Sequence, residues 1–227
     1  MRVALCLSGH FRSFHKNIQN LKDNILDIYN PDIYIHSWSK QGFDGVRGDY
    51  TLINKPFDHS MLNGLNVKDF LIENHLSFNV EKYKHKSGPG LRNPEIISSM
   101  FYSMFKSNEL IKKQYDIIIR SRTDIFYKNK LNLIQDKGIH FPKFGNYSGL
   151  NDQFAFGDQD SMNKYFQCYN NLDYLFDLYQ NWHAESMVKY NVKYFNIPIL
   201  RSDIDYVLSR EDGTFFKNAH DLNLGDV

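Results

Sequence analysis

The first forty residues set two short apolar runs around one helical pattern, and no other stretch constrains the fold as much. Val3–Ser8 is apolar and closes on Ser8-Gly9, the pattern of a buried strand that delivers the chain into a turn. From about Asn17 to Tyr29, the apolar positions Ile18, Leu21, Ile25, Leu26 and Tyr29 recur at helical spacing. Pro31 stops that helix, and Asp32–Ser39 reads as a second strand. Parallel strands need a crossover, and a helix between two strands supplies one. The expected class is therefore α/β, with a mostly parallel central sheet flanked by helices.

Beyond this unit, Gln41–Ser60 carries Gly42, Gly45, Gly48 and Pro56 and reads as loop. Val67–Leu76 reads as helix and Phe78–His85 as a strand. Ser87–Pro94 is rich in breakers, and Pro94 suits the first turn of a helix reaching about Lys113, with Asn93 as its N-cap. On that helix Ser99, Ser103 and Lys106 form a polar strip, for which a solvent-facing position is expected. Ile117–Ile119 reads as a central strand buried on both faces. His140–Phe144 and Gln153–Phe156 are shorter strand candidates. Helical patterns follow from Asp158 to about Tyr179 and from Ala184 to Tyr194, then a strand-like Ile197–Leu200. With no repeat or linker in 227 residues, one domain spanning 1–227 is expected.

A formal charge of +1 gives no broad cationic footprint, so no nucleic-acid partner is expected. Cys6 and Cys168 are the two cysteines, which is no disulfide framework and fits a reducing, cytoplasmic setting. No apolar run approaches the ~20 residues of a membrane span, so a soluble protein is expected, a reading compatible with peripheral membrane contact. Aromatic residues make up 15% of the chain; this accounts for a large core and does not by itself identify a sugar platform.

Ligands of open α/β sheets bind beyond the carboxyl ends of the strands, at a topological switch point. Three segments end strands in that way: Ser8, Gly9, His10 and Arg12; His36, Ser37 and Trp38; and Arg120–Asp124. The first lacks the later glycines of a dinucleotide fingerprint and the lysine of a triphosphate loop, which disfavours hydride transfer and NTP hydrolysis. Gly9 suits a backbone that approaches a phosphate, and Arg12 offers a planar fork to a diphosphate. Two arginines directly after three isoleucines are unusual, because a buried guanidinium needs partners. Asp124 is a hard oxygen ligand for a divalent cation bridging phosphates; the competing reading is a structural arginine–aspartate ion-pair network.

Together Ala4–Phe14, Asp32–Trp38 and Tyr115–Asp124 resemble small GT-A-type glycosyltransferases of surface-polysaccharide and viral glycan assembly, with the WavE-like group nearest. The resemblance runs from Met1 to about Arg210 and is carried by short motifs. It implies a Rossmann-like GT-A sheet, a nucleotide-diphosphate sugar as donor and a glycan or lipid-linked acceptor. It also implies inverting transfer assisted by Mn²⁺ or Mg²⁺. The family's Asp-x-Asp metal motif falls on Arg122-Thr123-Asp124, so Asp124 is the implied metal ligand while Arg122 stands where the family has an acid. Ser8, Gly9, Arg12, His36 and Arg122 are the implied donor-binding set. Asp152 matches a position that contacts donor sugar or acceptor, and Glu185 the acidic base that takes the acceptor's proton. The bland readings are a turn or cap role for Asp152 and first-turn helix stabilisation for Glu185. His220 is a positional match for a late metal-binding histidine and is not assigned that role. The alternative from another class is a non-catalytic nucleotide- or glycan-binding α/β module.

Overall fold

Val3–Ser8 forms a strand, β1, whose six residues are all buried, and the rest of the sheet is assembled on its two edges. The structure is a computed structural model and describes residues 1–40, 43–44, 51–52, 55–81, 94–179, 182–210 and 213–216. After β1 come α1 (Phe14–Leu21), a π turn (Lys22–Leu26) and α2 (Asp27–Tyr29), then β2 (Asp32–Trp38). The short β3 (Phe43–Asp44) and β4 (Thr51–Leu52) precede β5 (Val67–Glu73) and the long α3 (Pro94–Glu109). Next are β6 (Ile117–Arg122), β7 (Ile125–Tyr127), β8 (Ile139–Pro142) and β9 (Phe154–Gly157). The chain continues with α4 (Gln159–Tyr165), α5 (Leu172–Tyr179), α6 (Ala184–Tyr194), β10 (Ile199–Ser202), β11 (Tyr206–Ser209) and β12 (Phe215–Phe216).

The main sheet has the order β10-β8-β9-β6-β1-β2-β5. Its strands are parallel except for β9, which runs antiparallel to both neighbours. The mostly parallel sheet with flanking helices expected from the sequence is thus present. Alternation along the strands sorts the core into two layers. Ala4, Cys6, Tyr34, Ile118 and Ala155 meet Phe101 and Met104 of α3, Met162 and Tyr165 of α4, and Met187 and Val188 of α6. Leu5, Leu7, Ile33, Ile35, Ile119 and Phe156 meet Phe14 and Leu21 of α1 and, from a second sheet ordered β12-β11-β7, Tyr206, Leu208 and Tyr127. The helical stretch after β1 ends at Asn30, which adopts a left-handed φ of 43° ahead of Pro31, a stop that Asn tolerates and Pro enforces.

Several expectations are corrected. Val67–Leu76 is not a helix; β5 is an edge strand with Lys68, Asp69 and Phe70 exposed, so it shows no clean alternation. Residues 78–81 of the expected Phe78–His85 strand form no strand, and 82–85 lie outside the described residues. The long helix stops at Glu109 rather than Lys113, and Asn93 lies outside the described residues. The helical stretch after Asp158 is broken between α4 and α5 by a 3-10 turn at Phe166–Cys168 and turn residues. Among the described residues no helix is long and apolar enough to cross a membrane.

Candidate active site

The chain leaves β1 toward β2 on one edge and returns as β6 on the other, so the carboxyl end of β1 is a topological switch point. Parallel register aligns the three strand ends: Ser8 lies opposite His36 on β2 and opposite Arg122 on β6. These three expected donor-site residues therefore form one row across the sheet. Gly9 follows the row with φ of 110°, and a Cβ at that position would meet nothing within 4 Å. Glycine is required by that backbone angle rather than by crowding, and the backbone faces open space.

A hydrogen-bonded relay fixes this turn. The Gly9 N–H donates to Ser103 Oγ at 2.9 Å and to the His36 carbonyl at 3.2 Å. Ser103 Oγ lies 2.8 Å from His36 Nδ1, and His36 Nε2 lies 2.8 Å from Glu73 Oε1. An ionised carboxylate only accepts, so Nε2 carries the proton and Nδ1 accepts from the serine hydroxyl. Burial pushes the His36 pKa below its ordinary value against the pull of Glu73, which keeps the ring neutral. Ser103, on a strip expected to face solvent, is instead 1% exposed and joins the site. Its partners lie 67 and 94 residues away in the chain, so helical spacing could not reveal them.

Asp124 lies just beyond β6 at the centre of a guanidinium cluster. Arg122 Nε donates to Oδ1 at 2.8 Å and its terminal nitrogen to Oδ2 at 2.6 Å, a two-pronged pair. Arg12 approaches Oδ2 at 4.0 Å. Burial alone would raise the Asp124 pKa, but Arg122, then Arg12 and Arg210, hold it below the usual carboxylate value. The segments that carry these arginines are tied together: Thr123 Oγ1 donates to the His10 carbonyl, Ser209 N–H to the Asp124 carbonyl, and Ser13 Oγ to the Ser209 carbonyl. Beneath them lies Arg120, 1% exposed, opposite Cys6 on β1 and within electrostatic reach of Asp152 and Arg122. Asp152 also supports the charge of Arg122. Among the described residues, four guanidinium groups (Arg12, Arg120, Arg122, Arg210) thus lie within electrostatic reach of two carboxylates (Asp124, Asp152), a surplus of two positive charges.

The residues present do not fit the expected Mn²⁺ or Mg²⁺. Such an ion takes several oxygen ligands, whereas both Asp124 oxygens are already held by Arg122 and the side chain is 6% exposed. Two guanidinium groups would repel the cation, and among the described residues no group of three or more His, Cys, Asp or Glu could hold one. His220 lies outside the described residues.

Glu185 is placed differently from Asp152. It is fully buried in the first turn of α6, with its carboxylate 3.4 Å from His183 Nε2. Its carbonyl accepts from the Leu150 N–H at 2.8 Å, which joins it to the turn that leads into Asp152. Gly149 allows that contact, because a Cβ there would overlap the Glu185 carbonyl group and the Ser186 nitrogen. Gly149→Ala is therefore expected to cost about 1–3 kcal/mol, the range for forced overpacking, read from a urea unfolding curve. A wild-type midpoint would show that the turn can give way.

Acid should loosen the site. Burial, aided by Arg12 and His75, pushes His10 down to about 3, and His36 is lowered as well. From pH ~6.5 downward the unfolded chain binds protons that the folded chain refuses, so stability falls with pH. The slope is up to about 1.4 kcal/mol per pH unit for each histidine. Asp124, whose pKa is lowered, adds a further loss once the pH drops below that of a free carboxyl. Unfolding curves at pH 7.5 and 5 should separate, and His10→Asn should narrow the gap. An unaltered gap would show that His10 is not the source.

No protein-family profile and no curated protein matches the chain. Among solved structures, the apo form of mouse xyloside xylosyltransferase 1 aligns over 88% of this chain and 83% of its own, at 11% identity and a TM-score of 0.45. The galactosyltransferase LgtC, in complex with donor and acceptor sugar analogues, aligns over 88% and 73%, at 9% identity and a TM-score of 0.49. An active-site mutant of LgtC aligns over 88% and 72%, at 10% identity and a TM-score of 0.48. What this chain does rests on its own residues.

Proposed function

We propose that the chain is a GT-A-type glycosyltransferase that moves a sugar from a nucleotide-diphosphate donor to a glycan or lipid-linked acceptor. The observation that carries this reading is the surplus of two positive charges among the described residues at the switch point of the sheet, beside the open backbone of Gly9. That arrangement suits a diphosphate, whose charge rises as it leaves. In the reaction the acceptor oxygen forms a bond to the anomeric carbon while the bond from that carbon to the diphosphate breaks. The acceptor's proton passes to a carboxylate, and the configuration inverts. Arg12 and Arg122, with side chains 22% and 24% exposed, and the partly exposed Arg210 are the cluster's reachable arginines for the leaving group.

Asp152 is our choice for the proton acceptor, because it lies next to the arginine cluster, from where it would serve an acceptor attacking on the side of the sugar opposite the leaving diphosphate. Glu185, the other candidate, is engaged with His183 and supports the adjoining turn. Tyr102, Phe78 and Tyr169 form a partly exposed ring cluster beside His36 and Trp38, which supplies apolar faces for the base or a sugar.

A panel of UDP-, GDP-, TDP- and CMP-sugars tests the proposal through release of nucleotide and growth of an acceptor glycan. The second reading, a binding module without turnover, draws on the burial of both candidate acids. Thermal stabilisation by a donor with neither hydrolysis nor transfer would decide for that module.

A further inference from the structure

We infer that the diphosphate is held by guanidinium groups without a divalent cation, with Asp124 keeping the place of the phosphate on Arg122 until the donor arrives. This deepens the nucleotide-sugar reading and rests on it. A carboxylate and a phosphate present the same pair of acceptors to a guanidinium fork. Asp124 occupies the Arg122 fork at 2.8 and 2.6 Å, while Arg12, at 4.0 Å, lies beyond hydrogen-bond reach of it. Arg12 pairs with Asp124 by charge alone and keeps 22% of its side chain exposed, which places it to reach a second anion beside the first.

Arg120 lies one row below Arg122 on the same face of β6, and its Nε and Nη1 make no hydrogen bond among the described residues. It adds positive potential from beneath. A buried guanidinium there would work against a metal ion and in favour of an anion. Arg122 is therefore matched by its surroundings: the site attracts an anion rather than a cation.

Calorimetry on the full chain tests this with inorganic pyrophosphate, UDP, GDP and TDP, each in excess EDTA and in excess Mn²⁺. The expected result is binding in EDTA that Mn²⁺ tightens by less than about threefold. Arg12→Gln, at a partly exposed position, should weaken it by at least about tenfold. Asp124→Asn should tighten it, because the resident competitor for Arg122 loses its charge; a metal ligand would give the opposite sign. If that variant does not fold, Arg12→Gln and the EDTA comparison still decide. Binding only with Mn²⁺, loss in a folded Asp124→Asn, or indifference to Arg12→Gln would overturn the inference and leave the nucleotide-sugar reading standing. If no diphosphate binds under either condition, that reading falls too.

Discussion

Replacing Asp152 with Asn is expected to slow sugar transfer by about 10²–10⁴-fold, the usual contribution of a positioned general base. Nucleoside diphosphate binding should not weaken, because the variant takes a negative charge from beside Arg120 and Arg122 and the loss belongs to the transition state, not to the bound donor. Glu185→Gln should cost less than about tenfold by the same reasoning, since its carboxylate faces His183. Asp152 also supports the buried Arg120, so each variant's melting curve is followed with its rate. Transfer lost from a protein that melts normally is the outcome the assignment requires. The reverse ranking, with Glu185→Gln the more damaging, would move the base to α6.

The second large effect is on stability. Asp124→Ala leaves Arg122 without the carboxylate that holds both of its donors. Breaking a buried pair on one side costs about 3–5 kcal/mol, and the low end applies because Arg122 keeps 24% of its side chain in water. Replacing both partners, as in Arg122→Met with Asp124→Ala, should recover most of the loss, since no charge is then stranded. A urea-unfolding double-mutant cycle measures this coupling. A single-variant loss under about 1 kcal/mol would mean that solvent satisfies Arg122 once Asp124 is gone.

What the sequence disclosed follows the range of the forces involved. Local patterns gave β1, β2 and α6 with nearly their observed limits and the first half of β6, because buried strands and an amphipathic helix carry their periodicity within a few residues. The oddity of arginines after three isoleucines marked the place where the charges gather. The β5 strand was misread because an edge strand buries only part of one face and its alternation blurs. Ser103 looks solvent-facing in the sequence for a different reason: its role is made by partners on β2 and the β1 turn, brought to α3 by packing. Similarly, the pairing of Arg122 with Asp124, two residues apart, was open in the sequence. Whether that aspartate faces a metal or a guanidinium depends on where the side chains turn after β6.

The central place of β1 bears on how the chain acquires its structure. The segment just before β1 bonds to the one just before β6, Arg2 N–H to Asp116 at 2.6 Å, across a separation of 114 residues. Closing so long a loop is entropically slow, and the contact that closes it joins β1 and β6 themselves. Until then, β1, β2 and β5 can associate only as a half-sheet whose β1 edge, apolar on both faces, stands open to other chains. Fragments that end before Ile117 should therefore aggregate, and the row of Ser8, His36 and Arg122 comes into existence in the same step that seals the sheet.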